Sequence, residues 1–270
     1  MPVRSWLLPT DPNPVHAVEQ GSGAPVVLLH GQPGQGTDWD LVVEAVAGRL
    51  RLIVPDRPGY GRTGGSAVGV AANADALIEL LDRKHIDHAT IVGYSWAGAV
   101  ALDLAQRHPS RVSALVLVAS VGATGSVDDL DRALSAPVIG PVLALGGLTM
   151  MQMPVVRHLL VPEAGDRLPR TSLAMWRSFI IEQRAMVAEL PTVTAGLATI
   201  DVPTVVVIGG GDRVVRPVAQ EALATRLLHA EVVRVPAAGH LLPWEAPAAI
   251  ADAALRVSGP PMSAPGGPVA

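Results

Sequence analysis

An α/β fold, with a mostly parallel central sheet flanked by helices and one helical insertion, follows from three features of this chain. Short apolar runs alternate with helix-length stretches. The runs are apolar throughout rather than at every second residue. The alternation stops once, between Val121 and Thr199. Strands buried on both faces read as continuous hydrophobic runs, the pattern of a parallel sheet covered by helices on either side. The 270 residues suffice for one large domain with an insertion. Hydrophobic residues make up 49% and aromatic ones 3%, so Val, Leu, Ile and Ala must fill the core.

Taken in order, the segment holding His16 reads as an edge strand. APVVLLHG (24–31) is an apolar strand ending in glycine, and a helix over 38–49 leads to the strand RLIVPD (51–56). A helix over 70–83 precedes a short buried strand, 88–93. WAGAVALDLAQR (96–107) is a helix that Pro109 prevents from running on. VSALVLVAS (112–120) is the next strand. Residues 121–199 hold Pro/Gly-punctuated apolar helices with no convincing strand and read as a cap. VPTVVVIGGGD (202–212) resumes the sheet, and a helix over 217–228 opens with proline in its first turn. AEVVRVP (230–236) is the last strand, and 245–256 a closing helix. The expected organisation is a core of 1–120 and 200–257, a cap of 121–199, and a disordered Pro/Gly-rich tail of 258–270.

Composition narrows the function. Net charge is −4 with no basic run, which disfavours nucleic acid as a partner. The absence of Cys excludes disulfides and thiolate metal sites. No compact His/Asp cluster offers a metal site either, so no metal and no other cofactor is expected. The N-terminus lacks the apolar region of a signal peptide, so a cytoplasmic enzyme is expected. Ala133–Val156 carries no charge, but prolines and glycines interrupt it, whereas a spanning helix needs about 20 consecutive apolar residues. It reads as part of the cap and not as a membrane span.

GYSWAG (93–98) carries the chemistry. It puts Ser95 on a strand-to-helix turn, between small residues at 93, 97 and 98 that let the backbone fold back sharply. A hydroxyl there points over the carboxyl end of the sheet. Acyl chemistry would then need a base, an acid to orient it, and donors for an oxyanion. Of the eight histidines, His85, His88, His108 and His229 sit at helix ends or beside charges, as solvated histidines do. His158 falls in the cap, and His30 reads as a loop organiser. His240 stands on the loop after the last strand, and Asp212 at the carboxyl end of the strand before it, where ligands collect in open α/β sheets. Asp128 or Asp129, after the preceding strand, is an alternative acid. Asp56 and Arg57 read as braces for the turn after their strand.

These segments together resemble the α/β-hydrolase superfamily over roughly residues 1–257. GYSWAG is similar to its nucleophile elbow, with the small Ala97 where glycine is commoner. HGQPG (30–34) resembles the oxyanion loop, VPDRPGYGRTG (54–64) the turn after the following strand, and GGGD and AGHLLPWE the acid and base segments. The resemblance implies that Ser95 is the nucleophile, His240 its base and Asp212 the acid, with backbone N–H groups of Gln32 and Trp96 as oxyanion donors. Met150, Met153, Trp176 and Phe179 are candidate pocket residues, though these four, like Met151 and Met175, are of types more often found in the core than against a substrate. The expected function is a serine hydrolase cleaving an ester, thioester or lactone of an apolar small molecule, with a homodimer allowed. Carbon–carbon bond hydrolases and cofactor-free haloperoxidases (perhydrolases) share the triad, and a ligand-binding protein with a silent triad is a third reading. Haloalkane dehalogenases and epoxide hydrolases are disfavoured, since those relatives carry Asp where Ser95 stands.

Overall fold

The computed structural model describes residues 3–10, 14–150, 153, 155–156 and 172–258. Its strands are β1 (Arg4–Leu8), β2 (Val15–Gln20), β3 (Pro25–Leu29), β4 (Arg51–Pro55), β5 (Ala89–Tyr94), β6 (Val112–Val118), β7 (Thr204–Gly209) and β8 (Ala230–Val235). They form one sheet in the order β1-β2-β4-β3-β5-β6-β7-β8. The β1–β2 and β2–β4 pairs are antiparallel, and every other pair is parallel. The strand of His16 is therefore not the edge. RSWLL forms β1 outside it, an addition that a short half-exposed segment did not announce.

Side chains alternate across the strands and feed two core layers. Val27, Leu29 and Ile91 face α2 (Val70–Arg83) and α3 (Ala97–Arg107). Val26, Leu28 and Val92 face α1 (Asp40–Val46) and the C-terminal helix that ends at Ser258. The chain leaves β3 toward β4 on one side and returns to β5 on the other. The carboxyl ends of β3 and β5 thus flank the switch point of the sheet, where crevices open in such folds.

Between β6 and β7 lie α4 (Asp129–Ser135), α5 (Ile139–Met150) and α6 (Leu173–Ala195). The C-terminal half of α6 buries Leu190 and Val193 in the core layer that holds α3, which ties the insertion down. By contrast, α5 is apolar all round and leaves Val142 70% exposed. Among the described residues no single helix is long and apolar enough to cross a membrane, and α4 and α5 are bent by 110° to each other. Met151, His158 and the expected 258–270 tail lie outside the described residues, except for Ser258, which is the last residue of a helix. After β7 come α7 (Pro217–Ala224), the short α8 (Leu242–Glu245) and α9 (Pro247–Ser258).

The loop after β3 closes in a 3-10 turn, Gly36–Trp39. There Asp38 is buried; its Oδ2 accepts from the Gln35 N–H at 3.0 Å, and its Oδ1 has no partner among the described residues. Burial pushes this carboxyl up to about 7, and the Asp56 and Asp40 charges add to the effect. Its raised folded value means that stability from Asp38 is full below the unfolded pKa of 3.8 and is lost as pH rises through about 7. Asp38→Asn removes that slope. Its unfolding free energy in urea, relative to the parent, should climb between pH 4 and 7 by up to about 1.4 kcal/mol per pH unit. A pH-independent difference would refute the assignment.

Close approach at the β5–α3 turn supplies a second expectation. A Cβ at Gly93 would meet the Ala97 carbonyl oxygen at 2.7 Å, and one at Gly98 would overlap Ser120. Either change to Ala should cost about 1–3 kcal/mol in thermal or urea unfolding. Gly146 and Gly147, in α5, face open space, so Ala there should add up to about 1 kcal/mol. Equal effects at both pairs would mean that the turn is not close-packed.

Candidate active site

Ser95 follows β5 directly, with φ of 52°, in the left-handed region that non-glycine residues seldom adopt. The strand next door holds it there. The Ser95 N–H donates to the Val118 carbonyl at 2.9 Å, and its own carbonyl accepts from the Val121 N–H at 3.1 Å. Gly31, at the end of β3, leaves room on the other side, since a Cβ there would sit 3.1 Å from the Ser95 Cβ. The hydroxyl is thereby set at the switch point, above the paired ends of β3 and β5.

Two loops bring the remaining groups to it. The residues after β7 and after β8 run so close together that a Cβ on Gly210 would meet the Pro236 carbonyl at 2.8 Å. A Cβ on Gly209 would likewise overlap the Gly239 carbonyl, so two of the three residues before Asp212 can only be glycine without a shift. His240 Nδ1 lies 2.9 Å from Asp212 Oδ2, and His240 Nε2 lies 3.0 Å from Ser95 Oγ. A carboxylate oxygen can only accept, so Nδ1 carries the proton and Nε2 is free to accept from the hydroxyl. Asp212 is buried, and its other oxygen accepts from the N–H groups of Val214 and Val215 at 2.8 and 2.9 Å. Gln220 Nε2 donates to Oδ2 at 3.1 Å, so the carboxylate is oriented from every side. Asp128, the alternative acid, instead caps α4 by accepting from the Asp131 N–H at 3.0 Å, and both it and Asp129 are exposed.

Glu245 does something that its place at the start of a predicted helix did not suggest. Its carboxylate accepts the N–H groups of Gly239 and of Leu241, on either side of His240. The buried Tyr94 ring packs against the imidazole with centroids 5.5 Å apart. His240 is therefore held by its neighbours' backbone, by a ring face and by Asp212.

Beside Ser95, the loop His30–Gly34 turns over the site. His30 is fully buried; burial and the Arg57 charge hold its pKa well below the ordinary histidine value, so it is neutral. Its Nδ1 donates to the Gly31 carbonyl at 2.9 Å, and its Nε2 accepts from the Arg57 N–H at 3.0 Å. The N–H groups of Gln32 and Trp96 have no acceptor among the described residues. Asp56 does brace its turn, accepting from the Gly36 and Arg62 N–H groups at 2.7 and 2.8 Å. Arg57 does more than brace. It forms a buried ion pair with Glu182 of α6, and the Tyr60 hydroxyl donates to the same carboxylate at 2.8 Å. Burial raises the Glu182 pKa against the opposing pull of Arg57. The one sign of this partner in the sequence is an acid directly after an apolar run, FIIEQ.

The pocket candidates divide. Phe179 lies where α6 meets the loop, its carbonyl accepting from Gln32 Nε2 at 2.7 Å. Trp176 joins two helices of the insertion, its indole donating to the Pro141 carbonyl at 3.0 Å. Met150 and Met153 are 53% and 54% exposed, so the core reading of these two fails; α5, which Met150 ends, packs chiefly against α4 and α6. His85, His88 and His229 are exposed, and His16 is buried against Asp56 and Ser5. Among the described residues no group of three or more His, Asp or Glu is placed to hold a metal ion.

Comparison with known proteins bears on the same segments. A 2-hydroxymuconate semialdehyde hydrolase of Pseudomonas sp. is 37% identical over 110 residues, 38% of this chain and 39% of that protein. A pimeloyl-[acyl-carrier protein] methyl ester esterase of Klebsiella pneumoniae is 38% identical over 105 residues, again 38% of this chain and 39% of the relative. The chain thus matches about two fifths of the length of these curated relatives. A thermophilic esterase from Thermogutta terrifontis superposes over 96% of this chain and all of its own with a TM-score of 0.77 at 23% identity, a likeness of fold. The family model described as the alpha/beta hydrolase family matches residues 26–253, from β3 to the middle of α9. With an eight-stranded, mostly parallel sheet and a serine on the β5–α3 turn, the chain belongs to the alpha/beta hydrolase family.

Proposed function

We propose that the protein is a serine hydrolase that cleaves an ester, thioester or lactone of an apolar small molecule through an acyl-enzyme. The observation that carries this reading is the unbroken line Ser95 Oγ, His240 Nε2, His240 Nδ1, Asp212 Oδ2, with steps of 3.0 and 2.9 Å between residues. In this reading His240 takes the Ser95 proton as the oxygen attacks the acyl carbon, and Asp212 steadies the imidazolium. The Gln32 and Trp96 N–H groups would receive the oxyanion, each worth about 3–4 kcal/mol in the transition state. His240 then passes the proton to the leaving alcohol, and water, deprotonated by the same imidazole, releases the acid. The similarity to a methyl ester esterase supports this choice. Similarity to a 2-hydroxymuconate semialdehyde hydrolase favours a second reading, carbon–carbon bond hydrolysis with the same triad. Parallel assays on p-nitrophenyl esters and a vinylogous diketone separate the two.

The first test is chemical. A fluorophosphonate should label the parent once and leave Ser95→Ala unlabelled. That variant should lose about 10⁴-fold or more in ester turnover while keeping its unfolding midpoint. Asp212→Asn should cost about 10²–10⁴-fold, and Asp128→Asn should be silent. Turnover of Ser95→Ala within tenfold of the parent rejects the nucleophile.

The second test concerns the acyl group. The uncharged α5 and Phe179 beside Gln32 suit an apolar acyl chain, so efficiency should rise from acetate to medium-chain esters. Each buried CH₂ contributes up to about 0.8 kcal/mol, or roughly fourfold. Phe179→Ala should flatten that rise more than it lowers acetate turnover. A preference for acetate in both proteins rejects the apolar substrate.

A further inference from the structure

A peptide group is planar and almost always trans, so the direction of an N–H is set by the carbonyl of the residue before it. The Gln32 N–H belongs to the peptide whose oxygen is that of Gly31. That oxygen accepts two hydrogen bonds from buried donors, Arg57 Nη2 at 2.8 Å and His30 Nδ1 at 2.9 Å. Arg57 also donates from Nε to the His30 carbonyl at 2.9 Å, so one guanidinium holds two successive carbonyls of the loop.

The guanidinium is itself pinned. Glu182 takes Nη1 and, at 3.3 Å, Nη2, and neither side chain of the pair is more than 2% exposed. The Arg57 carbon Cζ stands 4.6 Å from the centroid of the Trp96 ring and 5.1 Å from that of Tyr60. Trp96 carries the other unspent N–H, and its indole donates to the Glu182 carbonyl at 3.2 Å. One residue of α6 therefore reaches both sides of Ser95. Its carboxylate acts on the Gly31–Gln32 peptide through Arg57, and its carbonyl acts directly on Trp96.

Resting on the hydrolase reading above, we infer that Arg57 and Glu182 are positioning residues for the oxyanion donors, and that α6 thereby couples the insertion to transition-state stabilisation. A brace that merely held α6 to the core would have no need to spend two donors on successive carbonyls of this loop, those of His30 and Gly31. The consequence is kinetic. Loosening the pair should tilt the Gln32 N–H away from the developing charge and should leave ground-state binding largely intact.

The test uses Glu182→Gln, which keeps the shape of the side chain and an acceptor but weakens the hold on Arg57. With a p-nitrophenyl ester, kcat should fall about 10- to 100-fold with KM changed less than threefold, since complete loss of a donor costs about 10²–10³. A trifluoromethyl ketone supplies the second readout. Ser95 Oγ adds to its carbonyl carbon, the proton passes to His240, and the resulting alkoxide occupies the oxyanion position. Its Ki should rise by the same factor as kcat falls. Unchanged turnover, equal losses in kcat and substrate affinity, or a fall in kcat with Ki unmoved would each overturn the inference. Should Glu182→Gln fail to fold, Tyr60→Phe, which removes one hydrogen bond from the Glu182 carboxylate, decides by the same pair of measurements with a several-fold effect. A parent protein that neither reacts with fluorophosphonate nor binds the ketone would instead fault the reading of Ser95, and that outcome is distinguishable from failure of the coupling.

Discussion

The left-handed backbone of Ser95 is the constraint around which the site is arranged. A non-glycine residue at φ 52° costs on the order of 1–3 kcal/mol and persists only where its surroundings leave no alternative. Those surroundings can be named. The Val118 carbonyl of β6 and the Val121 N–H just beyond it grip the Ser95 backbone, while Gly31, Gly93 and Gly98 remove the side chains that would keep β3, α3 and the turn apart. Because β3 and β5 pair side by side across the switch point, the same crowding that strains Ser95 brings the Gln32 peptide alongside it.

The second organising element is the buried pair of Arg57 and Glu182. A buried ion pair seldom adds net stability, because desolvation offsets the attraction; removing one partner is costly, about 3–5 kcal/mol, since it strands the other charge. Here the guanidinium also satisfies two loop carbonyls and lies against two rings, so its polar atoms are well supplied. Such a pair earns its place through geometry more than through energy. It fixes α6 at one point over the site, while Leu190 and Val193 fix it at another within the core. By contrast α5 is tied through the Trp176 indole on the Pro141 carbonyl, and most of its apolar side chains stay exposed.

Much of this was legible in the sequence, and for a local reason. Strand and helix identity come from runs and periods within ten or twenty residues, which is why β3 to β8 and the flanking helices lie where the pattern put them. The serine on a turn bounded by Gly93, Ala97 and Gly98 was equally local, since small residues there admit one sharp fold-back. The edge position given to the His16 strand was wrong because pairing partners are not written in a strand's own residues: β1 pairs along its outer side.

Where two distant segments had to meet, only the tertiary structure could decide. Asp212 and Asp128 were both acids after a strand; the close passage of the glycine loop against Pro236 set Asp212 beside His240 and left Asp128 to cap a helix. Glu245 and Glu182 are unremarkable acids in sequence, yet one holds the backbone on both sides of His240 and the other reaches Arg57 across 125 positions. The chain alone determined that a hydroxyl, an imidazole and a carboxylate would stand at strand ends in an α/β sheet. Their distances, and the buried acids that hold them, were decided by packing, because a hydrogen bond depends on where two backbones lie in space and sequence encodes that only through the whole fold.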